Sequence, residues 1–181
     1  MKEHLQVICF GDSNTYGYDP RSWLGDRYDA QNRWVDILAD HTGWDICNMG
    51  VNGREIPSNA LTIATAVDYL IVMLGTNDLL QGRGAEESAE RLKRWLMNLP
   101  LPKNKVFLIV PPCLIRGEWV NDRSLIDASQ AYAHYCRQIA QQLDIRFADA
   151  SEWGISIAYD GVHFTEQGHK DFAAKLIASL L

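Results

Sequence analysis

Five short apolar segments, separated by stretches with helical spacing, place the strongest constraint on what this chain can fold into. The apolar segments are 5–10, 44–48, 69–74, 105–110 and 145–148, and a polar or glycine-containing loop follows each of them. Apolar runs of this length, bounded by such loops, are typical of buried β-strands. Helical spacing of apolar residues covers 34–41, 58–66, 85–98, 125–143 and 166–180. The alternation predicts an α/β fold, a three-layer sandwich with a five-stranded parallel sheet between helices.

Length and composition favour a single globular domain. The chain has 181 residues, of which 47% are hydrophobic and 22% charged. A domain of this size buries about two-thirds of the surface that its unfolded chain exposes. Because the sequence contains no internal repeat, low-complexity tract or linker, we expect one domain over residues 1–181.

Charge and cysteine usage narrow the classes of partner. The formal net charge is -6, and the 17 Lys and Arg residues are scattered, so we expect no nucleic-acid partner. The first apolar segment is too short to cross a membrane and has no small-residue cleavage pattern, so we expect a cytoplasmic protein without membrane contact. The cysteines lie far apart, without metal-site spacing, and are expected to be reduced thiols: Cys9, Cys47, Cys113 and Cys136.

A serine follows the first predicted strand on a glycine-flanked turn, Gly11-Asp-Ser13-Asn-Thr-Tyr-Gly17. Ligands of parallel α/β sheets bind at the carboxyl ends of the strands, so the Ser13 hydroxyl can face a cleft. On its own the segment is a weak signal, because Asp12 and Ser13 are also common in turns and at helix N-termini.

An aspartate and a histidine three residues apart precede the last predicted helix, in Asp160-Gly-Val-His163. In a tight turn the Asp160 carboxylate can accept a hydrogen bond from Nδ1–H of the His163 imidazole, which fixes the tautomer. Nε2 is then free to take a proton from a serine hydroxyl. The alternative is a simple Asp-Gly turn with a loop histidine.

Two further loops can supply hydrogen-bond donors. Asn77 follows the third predicted strand, and the loop after the second strand contains Gly50 and Gly53. Acyl transfer requires donors directed at the oxygen that becomes anionic, and an asparagine side chain or a glycine N–H suits that task. Both loops are also compatible with ordinary turns. We expect the neighbouring Asp78 to hold its own loop together.

Together, in this order, these four blocks resemble the signature blocks of the SGNH, or GDSL-like, hydrolases. The sequence segments around them resemble those of the bacterial arylesterase and acyltransferase branch. The resemblance implies a lipolytic-type serine esterase. It assigns Ser13 as nucleophile, His163 as base and Asp160 as its orienting carboxylate. It also implies an oxyanion hole formed by the N–H groups of Ser13 and Gly53 and the side chain of Asn77.

This sequence departs from the family pattern at two places. Asn14 stands where the family's GDSL motif has leucine, outside the chemistry. Between Gly50 and Gly53 the resemblance favours Gly53, since the family usually places this glycine five positions after the asparagine that ends the strand, here Asn48. The stretch 53–68 is shorter than the loops of the arylesterase branch, so oligomer-building features do not carry over. The sequence is compatible with a homo-oligomer but does not predict one.

The implied substrate is a small-molecule ester, hydrolysed through an acyl-enzyme without a metal or other cofactor. We expect the substrate to contact the loops after strands one and four, at Tyr16, Leu114, Ile115 and Trp119. Further aromatic residues of the first loop could contribute to an apolar or sugar-stacking wall: Tyr18, Trp23 and Tyr28. Short acyl, aryl and acetylated-carbohydrate esters all remain candidates. One alternative is an acyltransferase that uses an alcohol in place of water. From a different class, a flavodoxin-like binding domain would hold a phosphate at the first loop, where Asp12 argues against it.

Overall fold

The computed structural model describes residues 4–63 and 67–180, which fold around a five-stranded sheet. The strands are β1 (Gln6–Gly11), β2 (Asp45–Gly50), β3 (Tyr69–Met73), β4 (Val106–Val110) and β5 (Arg146–Asp149). All four pairings are parallel, and the order across the sheet is β2-β1-β3-β4-β5. The predicted five-stranded parallel sheet and the flavodoxin-like sandwich are therefore confirmed.

Helices connect the strands. The longer ones are α2 (Trp34–Thr42), α4 (Ala85–Met97), α5 (Arg123–Gln142) and α6 (Glu166–Leu180), and two short ones, α1 (Ser13–Tyr16) and α3 (Thr76–Leu80), follow β1 and β3. Single 3-10 turns cover Ala30–Asn32, Lys103–Lys105 and Ala150–Glu152. Of these helices, none is long and apolar enough to cross a membrane within the described ranges.

Side chains of the central strands alternate between two hydrophobic clusters, one on each face of the sheet. Along β3, Leu70 and Val72 join the cluster covered by α4 and α5, whereas Ile71 and Met73 join the cluster covered by α2 and α6. Because both faces are covered, the strands read as continuous apolar runs and not as an alternating pattern. The sheet is thus a rigid platform whose carboxyl edge carries the loops.

The helix predicted over 58–66 is wrong for its described part. Residues 58–63 form bends and irregular backbone, and 64–66 lie outside the described residues. Leu61 and Ile63 pack partly buried against the cluster under α4 and α5. Their apolar spacing therefore reflects coverage of the core by an irregular segment, which periodicity alone cannot distinguish from a short helix.

Candidate active site

Ser13 is the first residue of α1, directly beyond the end of β1. Asp12 caps this one-turn helix, its Oδ1 accepting the N–H of Asn14 at 3.0 Å. The helix ends at Gly17, whose φ of 89° lies in the left-handed region that favours glycine. Because Ser13 is the first residue of the helix, no carbonyl of a preceding helical turn is available to accept its backbone N–H. The local sequence thus presents both the hydroxyl and the N–H of Ser13 at the sheet edge.

A continuous hydrogen-bonded relay joins Ser13 to His163 and Asp160. Nε2 of His163 lies 2.9 Å from Oγ of Ser13, and Nδ1 lies 2.6 Å from Oδ2 of Asp160. All three side chains are buried, with residue exposures of 5% for Ser13, 3% for His163 and 1% for Asp160. Two loops that are 150 residues apart in sequence therefore meet at one point.

The carboxylate of Asp160 is held in its ionised form. Its Oδ1 accepts the N–H groups of Val162 at 2.9 Å and His163 at 3.0 Å. Burial raises the pKa of Asp160, but the hydrogen bonds from the imidazole and from these N–H groups outweigh burial and hold it below its ordinary value. An ionised Asp160 accepts a hydrogen bond from Nδ1–H and so keeps the proton on Nδ1, which leaves Nε2 to accept the Ser13 hydroxyl proton.

Two aromatic rings flank the imidazole. The ring centroid of Tyr18 lies 4.6 Å from that of His163, and the centroid of Trp119 lies 5.1 Å away with its plane nearly perpendicular, at 85°. Trp119 is brought there because its N–H donates to the Asp160 carbonyl at 3.0 Å. The loop after β4 is therefore fixed directly onto the loop that carries Asp160 and His163.

The loop after β4 and the loop that carries Asp160 approach each other closely through their backbones. A Cβ added at Gly117 would lie 2.3 Å from the backbone N of Gly161, which no side chain tolerates. The N–H of Ile115 donates to the Gly161 carbonyl at 3.1 Å in the same place. Glycine at position 117 thus permits the two loops to lie in backbone contact.

Asn77 and Gly53 line the same cavity as Ser13 and His163. Asn77 is in the first turn of α3, and its Nδ2 donates one hydrogen to the Arg54 carbonyl at 3.1 Å. That bond fixes the orientation of the amide and leaves a second N–H of Nδ2 available. Gly53 has a φ of 73° and open space on its Cβ side. Gly50, the other glycine considered, packs beneath the nucleophile turn, where a Cβ would lie 2.1 Å from the backbone N of Tyr16.

Asp78 holds the loop that carries Gly53. Its fully buried carboxylate accepts the Ile56 N–H at 2.9 Å and lies 3.3 Å from Nε of Arg83 and 3.6 Å from Nε of Arg91. Burial raises its pKa despite these partners. Its position away from Ser13 agrees with the structural role expected from the sequence.

Asp12 is buried beneath the nucleophile turn, and the partly buried Arg54 lies near it. The Arg54 guanidinium lies 4.1 Å from the Phe10 ring centroid and donates to the carbonyls of Gly11, at 3.0 Å, and Met49. Burial raises the pKa of Asp12 to about 6, which the Asn14 N–H and the Arg54 guanidinium offset only in part. The ionised form of Asp12 therefore destabilises the folded state at neutral pH.

Ser13 and His163 open onto a cavity of about 470 Å³. Asn52, Gln81 and Asn77 contribute polar groups to its wall, and the complete lining comprises Ser13, Tyr18, Asn52, Gly53, Asn77, Leu80, Gln81, Trp119 and His163. The volume lies in the range of small-molecule sites, roughly 300–1,000 Å³. A small acyl group fits beside the serine.

Three of the four residues predicted to contact substrate do not line this cavity. Tyr16 packs instead against Arg27, whose guanidinium carbon lies 4.5 Å from the Tyr16 ring centroid. Leu114 is buried, at 3% exposure, in a small cluster with Val120 and Val162. Ile115 is also absent from the lining. Of the four, only Trp119 lines the cavity.

Sequence reasoning missed three lining residues, Asn52, Leu80 and Gln81, and named Tyr18 only as one of several aromatic residues in the first loop. A signal existed for Gln81, because it follows Asn77 by four positions and so lies on the same side of a helical turn. Two contacts hold Tyr18 beside the site, where the chain reverses direction. Its N–H donates to the Ser13 carbonyl at 3.0 Å, and its backbone forms an antiparallel bridge with Arg27. No local pattern reveals that reversal.

A serine hydroxyl, an imidazole and a carboxylate in one relay, at the carboxyl edge of a parallel sheet, are the arrangement of the serine hydrolase class. Among residues 4–63 and 67–180, no three His, Cys, Asp or Glu side chains are placed to hold a metal ion.

Sequence comparison places the chain more narrowly. The sequence model of the GDSL-like lipase/acylhydrolase family matches residues 9–170. The chain belongs to that family and is a carboxylic ester hydrolase. No curated protein sequence matches it significantly.

Solved structures with the same fold cover nearly the whole chain. An aryl esterase from M. smegmatis is 24% identical, with a TM-score of 0.80 over 98% of this chain and 100% of that one. The carbohydrate acetylesterase Est24 from Sinorhizobium meliloti is 22% identical, with a TM-score of 0.77 over 98% and 100%. A lipolytic G-D-S-L family protein from Veillonella parvula is 21% identical, with a TM-score of 0.71 over 96% and 97%. At these identities the likeness is one of fold.

Proposed function

We propose that the protein is a serine esterase that hydrolyses small carboxylic esters through an acyl-enzyme on Ser13. The observation that supports this most directly is the relay from Ser13 Oγ to His163 Nε2, at 2.9 Å, and from Nδ1 to Asp160, at 2.6 Å. The first distance allows Nε2 to take the serine proton, and the second allows Asp160 to orient the imidazole and stabilise its charged form. No cofactor has a role in the steps that follow.

In the first step, the Ser13 hydroxyl attacks the ester carbonyl while Nε2 of His163 removes its proton. Asp160 keeps Nδ1 protonated and stabilises the imidazolium that forms. The negative charge that develops on the carbonyl oxygen is bound by the Ser13 N–H, the Gly53 N–H and the remaining N–H of Asn77. His163 then gives its proton to the leaving alcohol, whose departure leaves an acyl-enzyme.

In the second step, water takes the place of the alcohol. His163 removes a proton from the water as it attacks the acyl-enzyme, and the same donors bind the new oxyanion. The proton returns to Ser13 as the carboxylic acid leaves. Because the cavity opens to solvent beside His163, water can reach the acyl group, which favours hydrolysis over transfer to another alcohol.

The cavity wall supports esters of small acids with a polar or aromatic alcohol. Tyr18 and Trp119 offer ring surfaces, whereas Asn52 and Gln81 offer amide groups. Aromatic rings beside amides can contact either an aryl group or a sugar ring. Aryl esterase and carbohydrate acetylesterase structures among the fold relatives are consistent with both.

A fluorophosphonate probe and a short p-nitrophenyl ester test the proposal together. The probe should attach to Ser13, located by mass spectrometry of the labelled peptide. Ser13→Ala should lose labelling and lower kcat by about 10⁴- to 10⁶-fold, and His163→Ala should lower kcat similarly. Because nucleophile and base act as one unit, the double variant should be little worse than either single one.

Matched substitutions serve as controls for these losses. Ser179→Ala and His134→Ala replace exposed residues of α6 and α5 and should leave both labelling and kcat unchanged. Labelling of a residue other than Ser13, or additive losses in the double variant, would contradict the assignment.

A further inference from the structure

The side chain of Asn14 contacts the loop that carries His163, although Asn14 itself follows Ser13 in the chain. It is buried, with 5% of its surface exposed. Nδ2 donates to the Val162 carbonyl at 3.1 Å, and Oδ1 accepts the Phe164 N–H at 2.9 Å. Val162 and Phe164 are the two neighbours of His163. One amide therefore bonds the backbone on both sides of the imidazole-bearing residue.

The backbone groups of His163 itself bond to its own loop. Its N–H donates to Oδ1 of Asp160 at 3.0 Å, and its carbonyl accepts the Ala158 N–H at 2.7 Å. The Val162 carbonyl and the Phe164 N–H are directed to Asn14 instead. The loop is thus held by its own residues on one side and by the nucleophile turn on the other, where the Asn14 side chain joins it directly to α1.

Asn14 is itself firmly placed. Its N–H donates to Oδ1 of Asp12 at 3.0 Å, and its carbonyl accepts Nε1 of the buried Trp34 at 2.9 Å. Backbone and side chain alike therefore have hydrogen-bond partners. A side chain with both ends of its amide fixed in this way transmits the position of α1 to the histidine loop.

We propose that Asn14 is a positioning residue for the reaction, whose amide holds the His163 backbone so that Nε2 stays within hydrogen-bond distance of Ser13 Oγ. The inference rests on the function proposed above. Leucine, which the family's GDSL motif has at this position, could make neither bond. In this chain the residue that departs from the motif thus joins nucleophile and base.

Two variants test the role of Asn14. Asn14→Leu removes both hydrogen bonds to the histidine loop. Asn14→Asp is nearly isosteric and keeps the acceptor for Phe164, but it places an oxygen against the Val162 carbonyl. In each, kcat for a p-nitrophenyl ester should fall by about 10- to 100-fold, the loss expected when reacting groups are displaced by about 1 Å, while KM changes little. Labelling of Ser13 by the fluorophosphonate should slow to a similar extent.

A spectroscopic readout separates positioning from a loss of stability. The proton shared by His163 Nδ1 and Asp160 should give a far-downfield proton resonance in the wild-type protein, and this resonance should shift or broaden in both variants. Val106→Ala is the control, since Val106 is a fully buried residue at the amino end of β4, away from the site. It should lower the melting temperature and leave kcat and the resonance unchanged.

Each result decides for or against the role of Asn14. Wild-type kcat in folded Asn14→Asp would overturn it, as would an equal loss of kcat in Val106→Ala. If Asn14→Leu fails to fold, Asn14→Asp alone decides. A wild-type protein that neither hydrolyses the ester nor reacts with the probe would contradict the proposed function instead. The resonance would then still test Asn14, and an unchanged signal in Asn14→Asp would overturn the inference.

Discussion

Replacing Asp12 with asparagine should change how the stability of this protein depends on pH. The carboxyl group of Asp12 is buried beneath the nucleophile, and burial raises its pKa from 3.8 to about 6. In the unfolded chain its pKa is about 3.9. Between these values the native state binds the proton that the unfolded state has released. Stability attributable to Asp12 is therefore full below pH 4 and falls as the pH rises through 6.

The size of this effect follows from the shift. A difference of about two pKa units corresponds to roughly 3 kcal/mol between the two protonation states. The asparagine amide would keep an oxygen to accept the Asn14 N–H, so Asp12→Asn removes the charge while retaining the cap. Contributions from titrating groups that do not interact with Asp12 cancel in the difference between wild type and variant. Relative to wild type, the variant should thus gain roughly 3 kcal/mol in unfolding free energy between pH 4 and pH 7.5.

Urea unfolding at several pH values between 4 and 8 measures that difference directly. Asp122→Asn is the matched control, because Asp122 likewise caps a helix, α5, by accepting the N–H two residues on, that of Ser124 at 2.8 Å, but is exposed to solvent. The Ser124 N–H lowers the pKa of Asp122, so its pH dependence should have the opposite sign. Parallel stability curves for wild type and Asp12→Asn would refute the reasoning. A wild type that gains on the variant as pH rises would show that Arg54 stabilises a carboxylate there.

Two further substitutions test the site. Asn77→Ala should lower kcat by about 100- to 1,000-fold with little change in KM, because one oxyanion donor is lost, whereas Asn98→Ala, at the exposed end of α4, should leave kcat unchanged. A stable Asn77→Ala protein with normal kcat would remove Asn77 from the oxyanion hole. Asp160→Asn should lower kcat by about 10⁴-fold: Oδ1 accepts two N–H groups, so the new NH₂ faces Nδ1 and forces the proton onto Nε2. Activity within a few-fold of wild type would show that Asp160 does not set the tautomer.

The sheet and most helices could be predicted because each is encoded by a local pattern. Strands buried on both faces, such as β3 and β4, require uninterrupted apolar runs, and these mark their position within one or two residues. The helix predicted over the segment 58–63 was wrong for a physical reason. Its apolar side chains cover the core from irregular backbone, so periodicity gave the right burial and the wrong conformation.

The site residues also differ in whether a local pattern encodes their position. Asp160 and His163 could be paired from their spacing, and Ser13 could be placed at the sheet edge, because each depends on one turn. The contribution of Tyr18 could not, since it depends on a loop that reverses direction and bridges to Arg27. Nor could Asn14, whose partners lie 148 and 150 residues further along the chain. A contact at that separation leaves no trace in either segment alone.

The distance along the chain between Ser13 and His163 also sets the order in which the site comes into existence. A ribosome that adds about 5 to 20 residues per second needs roughly 8 to 30 s to pass from the codon of the serine to that of the histidine. During this time the nucleophile has neither its base nor the Asp160 carboxylate, and the hydroxyl is as inert as any other serine. Hydrolytic competence therefore arises abruptly, when the segment before α6 docks beside α1, and every active molecule is one in which both ends of the fold have closed.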